Sequence, residues 1–164
     1  MDDAGWLGWL GASPLSQWMR GSLWLYPLVE TVHIVGFVVL VGSVVAFDLR
    51  LLGFSRSASA LPVQALGRHL LPWSALALLL IVPAGVMMFS AHPHDFFENN
   101  VFRLKLALIA LAGVNALVFH FGVYRGVAGW NTDRRAPRAA RLQACVSIAL
   151  WVAVIGCGRL LAYT

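Results

Sequence analysis

Residues 25–47 decide the fold, and they read LYPLVETVHIVGFVVLVGSVVAF. In this run of 23 residues only Glu30 and His33 carry acidic or basic side chains. An α-helix rises 1.5 Å per residue, so the run would be about 35 Å long and would span the ~30 Å hydrocarbon layer of a bilayer. A helix also pairs its own backbone N–H and C=O groups, as lipid requires. The stretch therefore predicts a transmembrane helix.

Three further apolar runs follow, at residues 70–90, 101–123 and 142–162. The chain of 164 residues is 60% hydrophobic and 12% charged, whereas soluble proteins average about 25% charged residues. This composition excludes a soluble domain and a disordered chain. We therefore expect an all-α membrane protein, with a four-helix transmembrane up-down bundle over residues 24–164. Because the connections are short, consecutive helices should be antiparallel neighbours.

Residues 1–23 form a lead-in that is rich in tryptophan and leucine. Ser13 followed by Pro14 is a favourable helix start, because serine caps free N–H groups and proline lacks one. We expect this amphipathic segment to lie in the outer membrane interface. The first residues are acidic, whereas a secretory signal begins with basic residues, so we expect no cleaved leader.

The basic residues are distributed unevenly between the two sides of the predicted bundle. Four lie on the side of the termini, and eight lie in the first and third connections: Arg50, Arg56, Arg68, Arg125, Arg134, Arg135, Arg138 and Arg141. Arginine-rich loops stay in the cytoplasm. We expect a multi-pass protein of the bacterial inner membrane with both termini in the periplasm. The net charge of +5 then marks topology, so the expected partner is the lipid bilayer and no nucleic acid.

Two histidines are predicted to lie at one depth on neighbouring helices. His69 stands where the second span begins on the cytoplasmic side, and His120 stands near the cytoplasmic end of the third span. Two histidines on facing helices of a bundle can hold both axial positions of a b-type haem. We expect haem b there, with its propionates paired to Arg50, Arg68 and Arg125. The alternative is an interfacial His69 and a hydrogen-bonded His120.

Glu30 and His33 are one helical turn apart in the outer part of the first span, so they share a face. Arg159, Arg103 and Lys105 approach the same level from the fourth and third spans. The cluster predicts either a Glu30–Arg159 ion pair that tethers two helices or a functional pocket. Such a pocket suits a quinone site in which Glu30 and His33 handle protons catalytically, or a second haem with His33 as ligand. The ligand opposite His33 is open among Met87, Met88, His92 and His94.

Other motifs carry weaker signals. The loop with His92 and His94 has the composition of a copper or zinc site, but a solvated loop is the simpler interpretation. Cys145 and Cys157 are 12 residues apart, or about 18 Å on one helix, which is too far for a disulfide. The sequence has no serine–histidine–aspartate set, phosphate-binding glycine loop, CxxC or HExxH. Their absence argues against a hydrolase or a nucleotide-using enzyme.

A set of short motifs extends over most of the chain: Trp24-Leu-Tyr-Pro27, Glu30-x-x-His33-x-x-Gly36, Asp48-Leu-Arg-Leu-Leu-Gly53, Pro72-Trp73, Phe102-x-x-Lys105, Asn115 with Phe119-His120, and Gly158-Arg159 with Ala162-Tyr163. Together they resemble a bacterial family of four-helix inner-membrane proteins of unknown function. This resemblance implies a four-helix fold and a location in the inner membrane. It implies no activity. The layout is also similar to small di-haem cytochromes b of the b561 type, which exchange electrons with quinones. Those proteins supply four helix-borne ligands, whereas three histidines lie in or at the spans here, which supports one complete site.

The leading hypothesis is a haem b-binding membrane protein that transfers electrons between the quinone pool and a redox partner protein. A membrane cytochrome b oxidoreductase is the corresponding candidate activity. The alternative is a non-haem membrane subunit, or a carrier of copper or another small solute, that uses Glu30, His33 and Arg159. Small residues such as Gly36, Gly122 and Gly126 predict close helix contacts, either in a homodimer or within one subunit.

Overall fold

The computed structural model describes residues 3–54, 62–132 and 135–163, with side chains described from residue 5 onward. Four helices in these ranges are long and apolar enough to cross a membrane, so the predicted all-α membrane bundle is confirmed. The described elements, all helical, are α1 (Asp3–Gly11), α2 (Pro14–Gly21), α3 (Leu25–Leu52), α4 (Val63–Ala91), α5 (Pro93–Glu98), α6 (Asn100–Phe121), a 3-10 helix (Val123–Gly129) and α7 (Arg138–Leu160).

The spanning helices are α3, α4, α6 and α7, and two of them begin at least four residues earlier than the predicted apolar runs. α4 begins at Val63 instead of residue 70, and α7 begins at Arg138 instead of residue 142. Hydropathy marks only the part of a helix that lies in hydrocarbon, while helical hydrogen bonding continues into the polar interface. α6 ends at Phe121, before residue 123, because the poor helix former Gly122 follows it. Arg56 and Arg134 lie outside the described residues.

The spanning helices pack in the order α4, α3, α7, α6. α3 lies against α4 along most of its length and also against α7, and α7 packs on α6. The expectation that the second and third spans are packed neighbours is wrong, because α4 and α6 make no extended contact within the described residues. The short helix α5 joins these two helices, whose contact at this end is the stacking of Phe89 of α4 on Phe102 of α6, with ring centroids 5.7 Å apart.

α3 and α4 approach closely because a glycine faces small groups of the neighbouring helix. A methyl group on Gly36 would lie 2.9 Å from Ile81 Cγ1 and 3.4 Å from the Ala77 carbonyl oxygen. In lipid, helices associate through such close packing, since apolar side chains gain little by leaving the bilayer. Gly36 therefore packs within the subunit, which is one of the two alternatives that the small-residue pattern allowed.

Apolar side chains point outward along the spans. Leu28, Val35 and Val38 of α3 are exposed, and Ala112 and Phe119 are the buried residues of α6. Soluble monomers rarely expose a large contiguous apolar surface. A lipid bilayer covers such surfaces, so the molecule is a multi-pass membrane protein.

Residues distant in sequence cap both ends of α4. At its start, the Val63 N–H donates to the Asn131 carbonyl oxygen at 3.1 Å, and the Gln64 N–H donates to Asn131 Oδ1 at 2.9 Å. At its end, the Arg20 guanidinium donates to the Ala91 carbonyl oxygen at 2.8 Å. These contacts satisfy groups that a helix leaves unpaired, and the positive charge of Arg20 suits the negative end of the helix dipole.

The lead-in forms α1 and α2, which cover the end of the bundle where α5 lies. Ser13 caps α2 as its sequence predicts, since its side chain accepts a hydrogen bond from the Ser16 N–H at 3.2 Å. Arg20 also donates to the Gly11 carbonyl oxygen of α1 at 2.8 Å, so one arginine joins α1, α2 and α4. We call the end of the bundle that α1, α2 and α5 cover the N-terminal end. The opposite end, which includes the 3-10 helix, is called the arginine-rich end.

Candidate functional site

His33 lies on the face of α3 that packs against α4. Its Nδ1 is 3.0 Å from the Ile81 carbonyl oxygen. A carbonyl can only accept, so Nδ1 carries the proton and donates it, and Nε2 is the basic nitrogen. The ring fits here because Gly85 has no side chain: a methyl group at that position would lie 3.3 Å from His33 Cε1. α4 therefore fixes both the orientation and the tautomer of His33.

Lys105 is the cation that the structure brings near His33. It lies on α6, is half-buried, and is within electrostatic range of the His33 imidazole. Its Nζ is 3.8 Å from the position that a methyl group on Gly158 of α7 would take. No hydrogen bond or ion pair of the Lys105 ammonium group occurs in the part of the chain that the structure describes. This part of the bundle thus holds an oriented imidazole and an ammonium group without a carboxylate partner.

Glu30 is exposed, one turn before His33, and its charge interacts with His33 and with Tyr26. The predicted Glu30–Arg159 ion pair is absent from the described residues. Arg159 instead hydrogen-bonds Tyr163, and its guanidinium carbon lies 4.6 Å from the centre of that ring. Tyr163 follows Arg159 by one helical turn, so this contact forms within one segment and tethers no second helix. We call Glu30, His33 and Lys105 the His33 cluster.

The structure does not bring His69 and His120 together. Both side chains are exposed, and α4 and α6, which carry them, make no extended contact in the described ranges. His120 stacks on Tyr124 with ring centroids 5.1 Å apart, and Tyr124 Oη lies 2.8 Å from the position of a methyl group on Gly67. His69 is two residues beyond Gly67, or about 200° around the helix, so it points away from this contact. The His69–His120 haem site stays a prediction.

The arginines predicted to pair with propionates lie at the arginine-rich end on three different elements. Arg50 on α3 is buried, with 8% of its surface exposed. Arg68 on α4 and Arg125 on the 3-10 helix are exposed, and the Arg125 guanidinium carbon lies 5.9 Å from the centre of the Phe121 ring. Their role in cofactor binding stays a prediction.

The histidine-containing loop forms α5 at the surface of the N-terminal end. His92 Nδ1 lies 3.6 Å from Asp95 Oδ2, and both side chains are largely exposed. Residues 3–54, 62–132 and 135–163 contain no group of three or more His, Cys, Asp or Glu side chains that could hold a metal ion. Arg103 donates to the Phe97 carbonyl oxygen at 2.8 Å and lies 5.2 Å from that ring centre. Arg103 therefore binds the α5 segment and stays outside the His33 cluster.

A buried polar cluster lies where α3, α6 and α7 meet. Asp48 is 6% exposed and hydrogen-bonds Ser147 of α7. One turn earlier on α7, the Gln143 carbonyl oxygen accepts a hydrogen bond from Asn115 Nδ2 at 3.1 Å. Two buried oxygens, Asp48 Oδ2 and Gln143 Oε1, have no hydrogen-bond partner among the described residues. We call Asp48, Ser147, Gln143 and Asn115 the Asp48 cluster.

The sequence pattern alone does not single out the Asp48 cluster, although one signal was present. Gln143 and Ser147 are four residues apart in the last apolar run, which places two polar side chains on one helix face. From hydropathy alone, Asp48 is interpreted as a polar residue that ends the first span. In the structure, α3 continues to Leu52. The partner on another helix is visible only in three dimensions.

The fold and these polar clusters define a multi-pass α-helical membrane protein with ionisable groups held between its helices. A family model described as a family of unknown function, DUF6644, matches residues 8–164. The chain belongs to this family, which is consistent with the predicted resemblance to an uncharacterised family. No curated protein and no solved structure matches the chain.

Proposed function

We propose that this protein is a membrane-bound electron-transfer protein that binds a b-type haem through His33 and exchanges electrons with quinone. The orientation of His33 carries the proposal. Metal-binding histidines usually donate one ring N–H to a carbonyl or carboxylate, which fixes the tautomer and leaves the other nitrogen for the metal. The Ile81 carbonyl oxygen is in that position, 3.0 Å from Nδ1, so Nε2 is the nitrogen that would bind iron.

Met88 is the second residue that would hold the haem. Ile81, Gly85 and Met88 lie on one face of α4, because separations of four and three residues each complete about one helical turn. Met88 is half-buried in the apolar cluster at the N-terminal end of the bundle. Histidine together with methionine is an established ligand set for haem iron. Helix register thus favours Met88 over Met87, while His92 and His94 follow the end of α4 and are exposed.

Lys105 and Glu30 would serve the same site in different ways. A bound haem supplies the one-electron chemistry. The Lys105 ammonium group, which has no carboxylate partner among the described residues, suits an anionic propionate or the oxygen of a reduced quinone. Glu30 is exposed one turn from His33 and can pass protons to and from such an oxygen.

His69 and His120 form a second proposed haem site, at the arginine-rich end. Both imidazoles are exposed in the structure, and His69 lies about 200° around α4 from Gly67, the residue that approaches Tyr124. Arg50, Arg68 and Arg125 lie at this end and suit propionate groups. The His33 ring, by contrast, is already oriented by a hydrogen bond.

An optical spectrum of the protein, purified in lipid nanodiscs with and without added haemin, tests the proposal. We expect reduced-minus-oxidised bands of a low-spin haem that disappear in His33→Ala, return with added imidazole, and change in Met88→Ala. His94→Ala is the matched control, because His94 is exposed at the same end of the bundle.

Three results would count against His33 as the ligand. A preparation that stays colourless after haemin addition would overturn haem binding altogether. Bands that survive in His33→Ala and vanish in His69→Ala and His120→Ala would move the haem to the arginine-rich end. Stoichiometric copper in a colourless preparation, measured by elemental analysis, would favour the alternative of a copper carrier.

We also propose that the protein lies in a bacterial inner membrane, with its N-terminal end facing the periplasm. The distribution of basic residues supports this orientation, since eight of the 12 lysines and arginines belong to the connections at the arginine-rich end. The His33 cluster would then be nearer to the periplasm, where a redox partner protein has access.

A further inference from the structure

The Asp48 cluster contains two buried oxygen atoms that can accept hydrogen bonds and receive none. They are Asp48 Oδ2 and Gln143 Oε1, in the part of the chain that the structure describes. Buried polar atoms in proteins nearly always have a partner, and an orphan atom destabilises the fold. The two oxygens share one helix interface, because Asp48 bonds Ser147 and Gln143 precedes Ser147 by one turn on the same face of α7.

An ionised Asp48 is poorly accommodated at this position. A carboxylate inside a membrane protein is costly unless a cation pairs with it, and no ion pair of Asp48 occurs among the described residues. Asp48 is also one turn from the end of α3 at Leu52. The helix dipole places negative charge at that end, so it repels a carboxylate. If Asp48 is protonated, the carboxyl group is uncharged. Neither the cost of burying an unpaired charge nor the repulsion by the helix dipole then applies.

We propose that Asp48 is a proton-binding site whose carboxyl group takes up one proton from water at the arginine-rich end and holds it on Oδ2. Protonation converts Oδ2 from an acceptor into a donor. Gln143 Oε1 is the acceptor that this donor serves, so one proton pairs both orphan oxygens. The Ser147 hydroxyl donates to the other carboxyl oxygen and holds the group in place. A hard metal ion fits less well, since such ions take about six or more oxygen ligands.

The proton reaches Asp48 over a short path. Four residues, or about 6 Å of helix, separate it from the end of α3 at Leu52. α7 presents the uncharged Gln143 and Ser147 to the carboxyl group. The titratable and charged side chains of the described residues at this end are Arg50, Arg68, His69, His120, Tyr124, Arg125, Arg135, Arg138, Arg141 and Cys145.

This proton site is independent of the proposed haem. His33 and Asp48 are 15 residues apart on α3, or about 22 Å along the helix. Failure of haem binding would leave the argument for Asp48 intact, and an ionised Asp48 would leave the His33 proposal intact.

Infrared spectroscopy of the full chain in lipid vesicles tests the proposal. At pH 7 we expect the carbonyl stretch of a protonated carboxylic acid, which shifts in D2O and is absent from Asp48→Asn. Gln143→Leu should keep this band and change its frequency, because the carboxyl hydroxyl loses its acceptor. Asp95→Asn is the control: it alters an exposed carboxyl group at the opposite end and should leave the band unchanged.

Two results would overturn the proposal, and a third applies if Asp48→Asn does not fold. A wild-type spectrum with carboxylate bands alone at pH 7 would overturn the proposal, and it is the result expected if the Gln143 amide turned its NH2 group toward an ionised Asp48. An acid band that appears only after sodium is removed would overturn it too, because a bound cation would then replace the proton. If Asp48→Asn does not fold, the assignment rests on Gln143→Leu, and a band that this change leaves at its original frequency would contradict it.

Discussion

Two glycines of the α3–α4 interface matter as much as the histidine that packs there. Gly36 lets the two backbones approach, and Gly85 leaves room for the His33 ring against the Ile81 carbonyl oxygen. The sequence places Glu30 and His33 on one helix face, since spacing along a helix is a local property. It does not show that Gly85 and Ile81 receive His33, because that contact joins residues about fifty positions apart.

Gly36→Ala should destabilise the protein by about 1–3 kcal/mol, because the added methyl group overpacks an interface with no room for it. The nearest atom, Ile81 Cγ1, would be 2.9 Å from the new carbon. Gly42→Ala is the matched control on the same helix, where nothing lies within 4 Å of the added methyl group. It should be neutral or stabilise by up to about 1 kcal/mol through helix propensity. Thermal unfolding in detergent measures both, and equal effects of the two changes would refute the close α3–α4 contact.

At the scale of elements, α4 depends on capping groups that its own sequence does not provide. Its N-cap is Pro62, which offers no side-chain hydrogen bond, so Asn131 supplies the acceptors from the segment before α7. Arg20 of α2 serves the other end. Sequence rules for helix ends consider only residues a few positions from each end. They therefore predict the Ser13 cap of α2 but neither cap of α4, because those come from residues distant in sequence.

Asn131→Ala should cost about 0.5–2 kcal/mol of stability, since the Gln64 N–H loses the side-chain acceptor that caps α4. Asn131→Asp should retain stability, because a carboxylate oxygen accepts the same hydrogen bond and its charge suits the start of a helix. Hydrogen exchange of the first turn of α4, measured by mass spectrometry, should speed up in the alanine variant alone. Equal protection of that turn in both variants would show that Asn131 is not a cap.

At the scale of the whole molecule, packing determines which helices are neighbours, and the proposed orientation in the membrane follows from charge. The apolar runs predict the number of spans correctly, and the expected pairing of the second and third spans is wrong. Short connections keep consecutive helices near each other but do not force their faces into contact. The faces that do meet, such as α3 with α4 and α6 with α7, are those with small or hydrogen-bonding residues.

Cysteine labelling in intact cells tests the proposed orientation. In a background with Cys145→Ala and Cys157→Ala, a membrane-impermeant thiol reagent should label Asp95→Cys and leave Arg135→Cys unlabelled. The two positions are exposed at opposite ends of the bundle, and the basic end should face the cytoplasm. Lysed cells provide the control, since both variants should then react. Labelling of Arg135→Cys alone in intact cells would reverse the proposed orientation.

The sequence by itself determined the class of protein, the four spans and the helix faces that carry polar groups. These follow from local rules, since hydrocarbon thickness sets span length and helical periodicity sets which residues share a face. Only the tertiary structure decided which faces meet: His33 with the Ile81 carbonyl oxygen, and Asp48 with Ser147. In lipid the apolar faces are nearly equivalent, so the choice among them depends on close packing and a few hydrogen bonds between distant residues.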